Sequence, residues 1–320
     1  MSRAECALVT GAAGFIGSTL VDRLLADGRR VVGLDSFDPF YAPALKRRNL
    51  RAAESHRNFR LIEGDLRDPA AVRRAFEAGP CDAVVHLAAL AGVRPSLERP
   101  AEYADVNVRG TCVLFEEACR RGAPRVVFAS SSSVYGEQPR GGAFREDEAA
   151  ALPVSPYAAT KRAGELVAHA FHAARGLPVV CARIFTAYGP RQRPDLAIRR
   201  FAERMLRGDS VPVFGDGTAL RDFTYVDDLV TGLCAALDSD LGFALLNFGA
   251  GRTIAVTEVI QVLERVLGVK ARIEWLPAQP GDVSRTLADI SAARRALGYD
   301  PRVPFEEGVR RFADWLKEAA

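Results

Sequence analysis

Ser131 lies in the run SSSSVYG, Tyr157 follows 26 residues later, and Lys161 comes four positions after it in SPYAATK. Positions i and i+4 share a face on a helix, so the phenol and the amine become neighbours. An ammonium beside a phenol favours its ionised form, and a phenolate near neutral pH is a competent base toward an alcohol. Only four of the 43 basic residues are lysine: Lys46, Lys161, Lys270 and Lys317. A lysine kept where an ammonium would be needed therefore says more than any single arginine does.

Upstream stands TGAAGFIG, in which Gly11, Gly14 and Gly17 fall between a first strand and a first helix, with Phe15 and Ile16 inside the motif. Backbone amides at such a helix start can face a pyrophosphate with no side chain in the way. Asp35 ends the next strand-like run, 18 residues after Gly17, where a carboxylate can accept hydrogen bonds from adenosine ribose hydroxyls. A 2′-phosphate would be repelled there, so the expected cofactor is NAD. Asp65 and Leu66 close the third strand and could flank adenine, and Leu87, Ala88 and Ala89 could line the next part of the cofactor.

The elements that must position these groups are legible as alternation. Strand-like runs CALVTG, RRVVGLD, NFRLIEGD, DAVVHLAA and RVVFASS are separated by segments long enough for helices at 15–27, 69–78 and 98–121. A further helix is expected over about 156–175, followed by the strand PVVCARIF. This predicts an α/β chain, a Rossmann-type doubly wound parallel sheet with helices on both faces. From about residue 186 the pattern becomes irregular, predicting a smaller C-terminal α/β lobe over the sheet's carboxyl edge. The expected division is an NAD-binding domain at 1–185, receiving parts of 224–250, and a mainly substrate-binding lobe at 186–320.

Composition narrows the classes. No stretch approaches the ~18 apolar residues of a spanning helix, and the first strand begins within a few residues of Met1, which leaves no room for a leader, so a cytoplasmic protein without membrane association is expected. Six scattered cysteines read as reduced core thiols, and four histidines without a carboxylate or cysteine cluster give no metal site. The net charge of +3 is dispersed along amphipathic helices, which gives no nucleic-acid surface.

The segments TGAAGFIG, GDLRD, HLAALAGVR, SSSSVYG, SPYAATK, RIFTAYGP, RDFTYVDD and PGDVSRTLADI together resemble an extended short-chain dehydrogenase/reductase of the sugar-nucleotide epimerase and dehydratase family, over essentially the whole chain. The resemblance implies that NAD stays bound through the cycle and that the substrate is a nucleoside diphosphate sugar. It implies that Ser131, Tyr157 and Lys161 are catalytic: Tyr157 takes the proton from the sugar's 4-hydroxyl, Ser131 bonds the reacting oxygen, and Lys161 also holds the nicotinamide ribose. The 4,6-dehydratases of the family have an Asp and a Glu where this chain has Ser132 and Ser133, and its uronate decarboxylases keep the Glu. Without those carboxyls the pattern is that of the 4-epimerases.

Arg94, Thr186 and Arg193 resemble the set found in UDP-glucuronate 4-epimerases, where neutral-hexose enzymes usually place Asn at the position of Thr186. Two guanidinium forks could clamp a carboxylate with parallel charge-assisted bonds. Ser131 and Ser132 are further substrate contacts in this reading. Arg221 resembles the family arginine that meets the diphosphate, and Asp282 the residue that holds the uridine ribose. Gln279 replaces a second phosphate-binding Arg, and Arg285 lies close enough to substitute. The favoured substrate is UDP-glucuronate, with a UDP-hexose or UDP-N-acetylhexosamine as alternative. A nucleotide-sugar oxidoreductase and a non-catalytic NAD-sensing protein are the competing classes. Apolar residues on more than one face of the helices at 98–121 and 156–175, among them Val113, Leu114, Leu166, Val167 and Phe171, point to a homodimer.

Overall fold

A computed structural model describes residues 3–137, 142–148, 152–278 and 283–319; Gln279 and Asp282 lie outside the described residues. The strands are β1 (Cys6–Thr10), β2 (Arg30–Asp35), β3 (Phe59–Glu63), β4 (Ala83–His86), β5 (Arg125–Ser131), β6 (Val179–Ile184), β7 (Thr186–Tyr188), β8 (Ser210–Phe214), β9 (Leu220–Arg221), β10 (Phe223–Tyr225), β11 (Phe243–Phe248), β12 (Ile254–Ala255) and β13 (Arg272–Leu276). Seven of them form one parallel sheet in the order β11-β6-β5-β4-β1-β2-β3. The Val-rich runs of β1, β4 and β5 are buried along nearly their whole length because helices cover both faces, whereas β3 at the edge is only partly buried. Strand order reverses between β1 and β4, which opens a crevice at the carboxyl ends of these two strands.

The helices of the first half are α1 (Phe15–Ala26), α2 (Pro43–Glu54), α3 (Pro69–Glu77), α4 (Val93–Glu98), α5 (Pro100–Ala104), α6 (Gly110–Arg120) and α7 (Pro156–Arg175). The α7 bounds agree with the expectation, and their cause is local. Ser155 caps the start by accepting from the Ala158 amide at 3.2 Å, Pro156 occupies the first turn, and Gly176 ends the helix in the left-handed conformation.

The helix expected at 98–121 is broken. Pro100 has no amide to donate, so α4 stops before it, and a π-helical turn at Asp105–Arg109 separates α5 from α6. Leu114 is fully buried against the sheet, so it offers no outer face, while Leu97 of α4 and Leu166 of α7 are 53% and 56% exposed. Helix α2 was not anticipated; its buried stripe is Lys46, Asn49, Leu50 and Ala53, half of it polar, which hides the helical period.

The remaining helices are α8 (Ala197–Arg207), α9 (Val226–Leu237), α10 (Val256–Leu267), α11 (Ser291–Leu297) and α12 (Phe305–Ala319). Helix α9 packs on α1, and β11 completes the large sheet beside β6. Three two-stranded ribbons build the rest: β7 with β10, β9 with β12, and β8 with β13. Among the described residues no helix is long and apolar enough to cross a membrane.

Two contacts seat α7 on the sheet. At Gly164 a Cβ would stand 2.3 Å from Cζ of Phe128, so the absence of a side chain is what lets the helix approach. One residue on, Glu165 meets Arg183 of β6 in a buried bidentate pair, Nε to Oε1 at 2.8 Å and Nη2 to Oε2 at 3.0 Å, with both side chains 1% exposed. Ser130 of β5 donates to the same carboxylate at 2.6 Å.

Candidate active site

A cavity of about 490 Å³ opens along the carboxyl ends of β1, β2, β4 and β5. Gly11, Gly14, Phe15, Ile16 and Gly17 form one wall. Gly11 has a φ of +69°, and a Cβ there would lie 2.8 Å from the Ala88 amide nitrogen; at Gly17 one would lie 2.0 Å from the Gly11 carbonyl oxygen. The turn thus keeps its shape only with glycine, and the first amides of α1 face the cavity. Asp35 helps to hold the turn: its Oδ2 accepts from the Ala13 amide at 2.9 Å and its Oδ1 from the Phe37 amide at 2.8 Å.

Asp65, Leu66, Leu87, Ala88 and Ala89 continue the lining, so every residue assigned to the cofactor from sequence meets in this one space with Tyr157 and Lys161. Asp65 is pinned by Arg67 at 2.7 Å, which together with the Arg67 backbone amide holds its carboxyl below the usual range. An elongated dinucleotide fits this wall: a helix start without side chains for the pyrophosphate, a carboxylate at one end, and the phenol and amine at the other.

Ser131 is the last residue of β5; its Oγ donates to Ser133 Oγ at 3.1 Å and accepts from the Ser133 amide at 3.2 Å. Tyr157 opens α7 with its ring edge-on to Tyr103, 6.4 Å between centroids. Burial pushes the Tyr157 phenol up from its ordinary pKa, opposed by a hydrogen bond with Ser131 and by the charge of Arg193. Lys161, 5% exposed, donates from Nζ to the Ala129 carbonyl at 2.7 Å, and burial brings its pKa down to about 8. The sequence expectation that Lys161 lowers the phenol is therefore modified, since Ser131 and Arg193 supply the lowering influences here.

Of the residues assigned to substrate, Ser131, Ser132, Thr186 and Arg193 line the cavity. Arg193 makes a fork with Asp195, Nε to Oδ1 at 2.9 Å and Nη2 to Oδ2 at 2.8 Å, and its guanidinium stands over Phe40. Burial works against that charge, and the bond and charge of Asp195 together with Tyr157 and Tyr41 turn the net direction upward, so the arginine stays protonated. Arg94 is not in the cavity wall; its guanidinium carbon lies 4.6 Å from the ring centroid of Phe214 in β8. Arg221 is also outside the wall, with Nη1 donating to the Leu220 carbonyl at 2.9 Å. Asp282 lies outside the described residues.

The sequence reading missed Lys46, Tyr41, Phe40 and Arg67, all of which line the cavity. Lys46 is 8% exposed, donates to the Asp38 carbonyl at 2.8 Å and lies over the Tyr41 ring. Its signal was present, since it is another of the four lysines.

Beneath the cavity runs a chain of polar contacts around His86. Thr111 donates its hydroxyl hydrogen to the Asn107 carbonyl at 2.6 Å, so at His86 Nε2, 3.0 Å away, the ring must be the donor. Nδ1 is then bare and accepts from Thr10 Oγ1 at 2.8 Å, and Thr10 in turn accepts from the Ala88 amide at 3.2 Å. Asn107, in the π-helical turn, bonds both polar groups of Leu90 and donates to Thr160 of α7. The cofactor wall and the catalytic helix are thereby tied together.

This is the cleft of a dinucleotide-dependent enzyme of the parallel α/β type, with Ser131, Tyr157 and Lys161 together at one end. Residues 7–247 match the NAD dependent epimerase/dehydratase family, and the chain belongs to it, with NAD as cofactor. A UDP-glucuronate 4-epimerase of Thermodesulfobacterium geofontis is 42% identical over 313 residues, covering 97% of this chain and 96% of that protein. UDP-glucuronate 4-epimerase 3 of Arabidopsis thaliana is 42% identical, covering 96% of this chain and 75% of that protein. The crystal structure of UDP-glucuronic acid 4-epimerase from Bacillus cereus with UDP-glucuronic acid and NAD superposes with a TM-score of 0.93 at 37% identity, over 98% of this chain and 100% of that one.

Burial holds the His86 pKa down to about 3, so the imidazole should stay neutral, with the proton on Nε2, from pH 8 to pH 5. Because the unfolded value is near 6.5, the sign of the linkage is that this group costs stability as pH falls below about 6.5. Nitrogen-15 NMR of labelled histidine checks the point, and a His86 signal that titrates within that window would contradict it.

Proposed function

We propose that this protein is an NAD-dependent isomerase that interconverts UDP-glucuronate and UDP-galacturonate through a transient 4-keto sugar. The observation that carries the reading is the meeting, in one cavity, of the cofactor wall, the Ser131, Tyr157 and Lys161 set, and an arginine fork at Arg193 beside Thr186. Gly11, Gly14, Phe15, Ile16 and Gly17 would hold the pyrophosphate, Asp35 the adenosine ribose, Asp65 and Leu66 the adenine, and Leu87, Ala88, Ala89 and Lys161 the nicotinamide half. Bound NAD supplies a reversible hydride acceptor. Tyr157 as phenolate takes the proton from the sugar's 4-hydroxyl and later gives it back, and Ser131 hydrogen-bonds that oxygen in both directions. The sites of Ser132 and Ser133 carry no acid or base for elimination, so the keto sugar is returned rather than dehydrated.

Arg193 and Thr186 hold the uronate carboxylate, and the clamp rests on them because Arg94 is engaged with Phe214. Fixing the carboxylate has a chemical purpose. The keto sugar is a β-keto acid and loses carbon dioxide when the bond to its carboxylate aligns with the carbonyl orbitals; a held carboxylate keeps that bond out of line while the ring turns over. Arg221, Ser132 and Asp282 complete the contacts to the nucleotide sugar. Residues 1–185 with parts of 224–250 act as the NAD-binding domain and the remainder mainly as the nucleotide-sugar lobe, in a cytoplasmic protein.

The second copy of this chain is its own partner. The exposed Leu97 and Leu166 support an interface built on α4 and α7. Light scattering should give a dimer at micromolar concentration, and a monomer would end that reading.

Proton NMR of the purified protein with UDP-glucuronate and no reductant should show UDP-galacturonate growing in, and the Tyr157→Phe variant should keep its NAD while losing at least about a hundredfold in turnover. Conversion of UDP-glucose alone, or unchanged turnover in the variant, would contradict the assignment. Arg193→Ala should weaken UDP-glucuronate by about tenfold or more, as loss of a charge-assisted pair implies, and UDP-glucose far less; equal losses in KM would remove the clamp.

A further inference from the structure

Asp222 sits between β9 and β10 and is 0% exposed. Its carboxylate takes backbone amides from two distant segments: Ala250 at 2.6 Å on Oδ1, and Gly251 and Ala288, each at 3.0 Å, on Oδ2. Its own amide donates to Thr286 Oγ1 at 3.2 Å, and its carbonyl accepts from the Thr186 amide at 3.1 Å. Gly249 is part of the same construction, because a Cβ there would lie 2.8 Å from Asp222 Oδ2 and 2.4 Å from Ala288 Cβ.

Three stretches far apart in sequence, at 186, 249–251 and 286–288, therefore converge on one residue, the first through its backbone carbonyl, the second on its carboxylate and the third on both its amide and its carboxylate. The first belongs to the cavity wall, and the third directly follows Arg285, which bridges Leu220 beside Arg221. Three amide hydrogens directed at its two oxygens favour the ionised carboxylate, which is acceptor only. Burial pushes the acid up and the amides pull it back, leaving it raised to about 6.

We propose that Asp222 is a positioning residue for the nucleotide-sugar half of the site, its carboxylate holding the loops at 249–251 and 286–288 against the β9–β10 junction so that Thr186, Arg221 and Arg285 keep one arrangement. This rests on the reading in which those residues meet a UDP-sugar. Asp222 touches neither the cofactor wall nor the Ser131, Tyr157 and Lys161 set, so its loss should act on substrate binding and leave the chemical step and NAD retention in place.

The test is steady-state kinetics with UDP-glucuronate alongside bound NAD per subunit. Asp222→Asn, which turns an amide hydrogen toward one of the three donors, should raise KM by about tenfold or more with kcat within about threefold and NAD content unchanged. Thr286→Val, which removes only the hydroxyl under the Asp222 amide, should raise KM by about threefold and decides the matter if the Asn variant does not fold. Arg221→Ala and Arg285→Ala separate the two ways of failing. If both arginine variants raise KM while Asp222→Asn and Thr286→Val do not, the positioning role is wrong and the substrate reading stands. If neither arginine variant raises KM, the substrate reading fails and takes the proposal with it. Loss of kcat or of NAD at unchanged KM in the Asp222 or Thr286 variants would also overturn the proposal.

Discussion

The buried pair between Glu165 and Arg183 is the interaction on which the geometry of the site depends. It fastens α7, which carries Tyr157 and Lys161, to β6, and through the Ser130 hydroxyl to β5, whose next residue is Ser131. The arginine also stacks on Tyr135, which donates to Asn247 of β11 at 2.7 Å. Two charges this deep are costly to desolvate, and removing one partner would strand the other at about 3–5 kcal/mol. An apolar pair could fill the same volume, but it could not set helix and strands in one register through three directional bonds. In this chain, fixed relative position is the plausible return for a buried charge.

The cofactor wall relies on a different economy, in which groups serve twice. Asp35 offers its remaining lone pairs toward the cavity while it anchors Ala13 and Phe37. Thr10 orders Ala88 while donating to the His86 ring, whose tautomer Thr111 fixes. A ligand arriving here meets dipoles already oriented, so little reorganisation is left for the binding step.

Much of this was legible in the sequence because it is local. The glycine spacing, the acid that ends β2, and the tyrosine and lysine one turn apart each follow from the geometry of a single element. So do the bounds of α7, where Ser155, Pro156 and Gly176 state the start and stop. What was not legible depends on distant partners. Arg94 was assigned to the carboxylate clamp on its resemblance to the uronate set, yet its guanidinium stands over Phe214, distant in sequence. The break in the 98–121 segment needed Pro100 to be weighed against a persuasive apolar pattern. Lys46 hid in a helix whose buried stripe is half polar, and nothing near Asp222 in the chain announces the loops at 250 and 288 that converge on it.

The fork between Arg193 and Asp195 carries a consequence for selectivity. The arginine already has a resident counter-ion, which engages Nε and Nη2 and leaves Nη1 to an incoming group. On the proposed reading a uronate therefore shares a cation already part-neutralised rather than filling a bare positive socket, and competes for its remaining donors. Discrimination between an acidic and a neutral sugar then rests on a weakened charge contrast rather than on the full strength of one salt bridge. Small anions in the medium enter the same competition, which makes ionic composition, and not pH alone, a determinant of which sugar the cavity prefers.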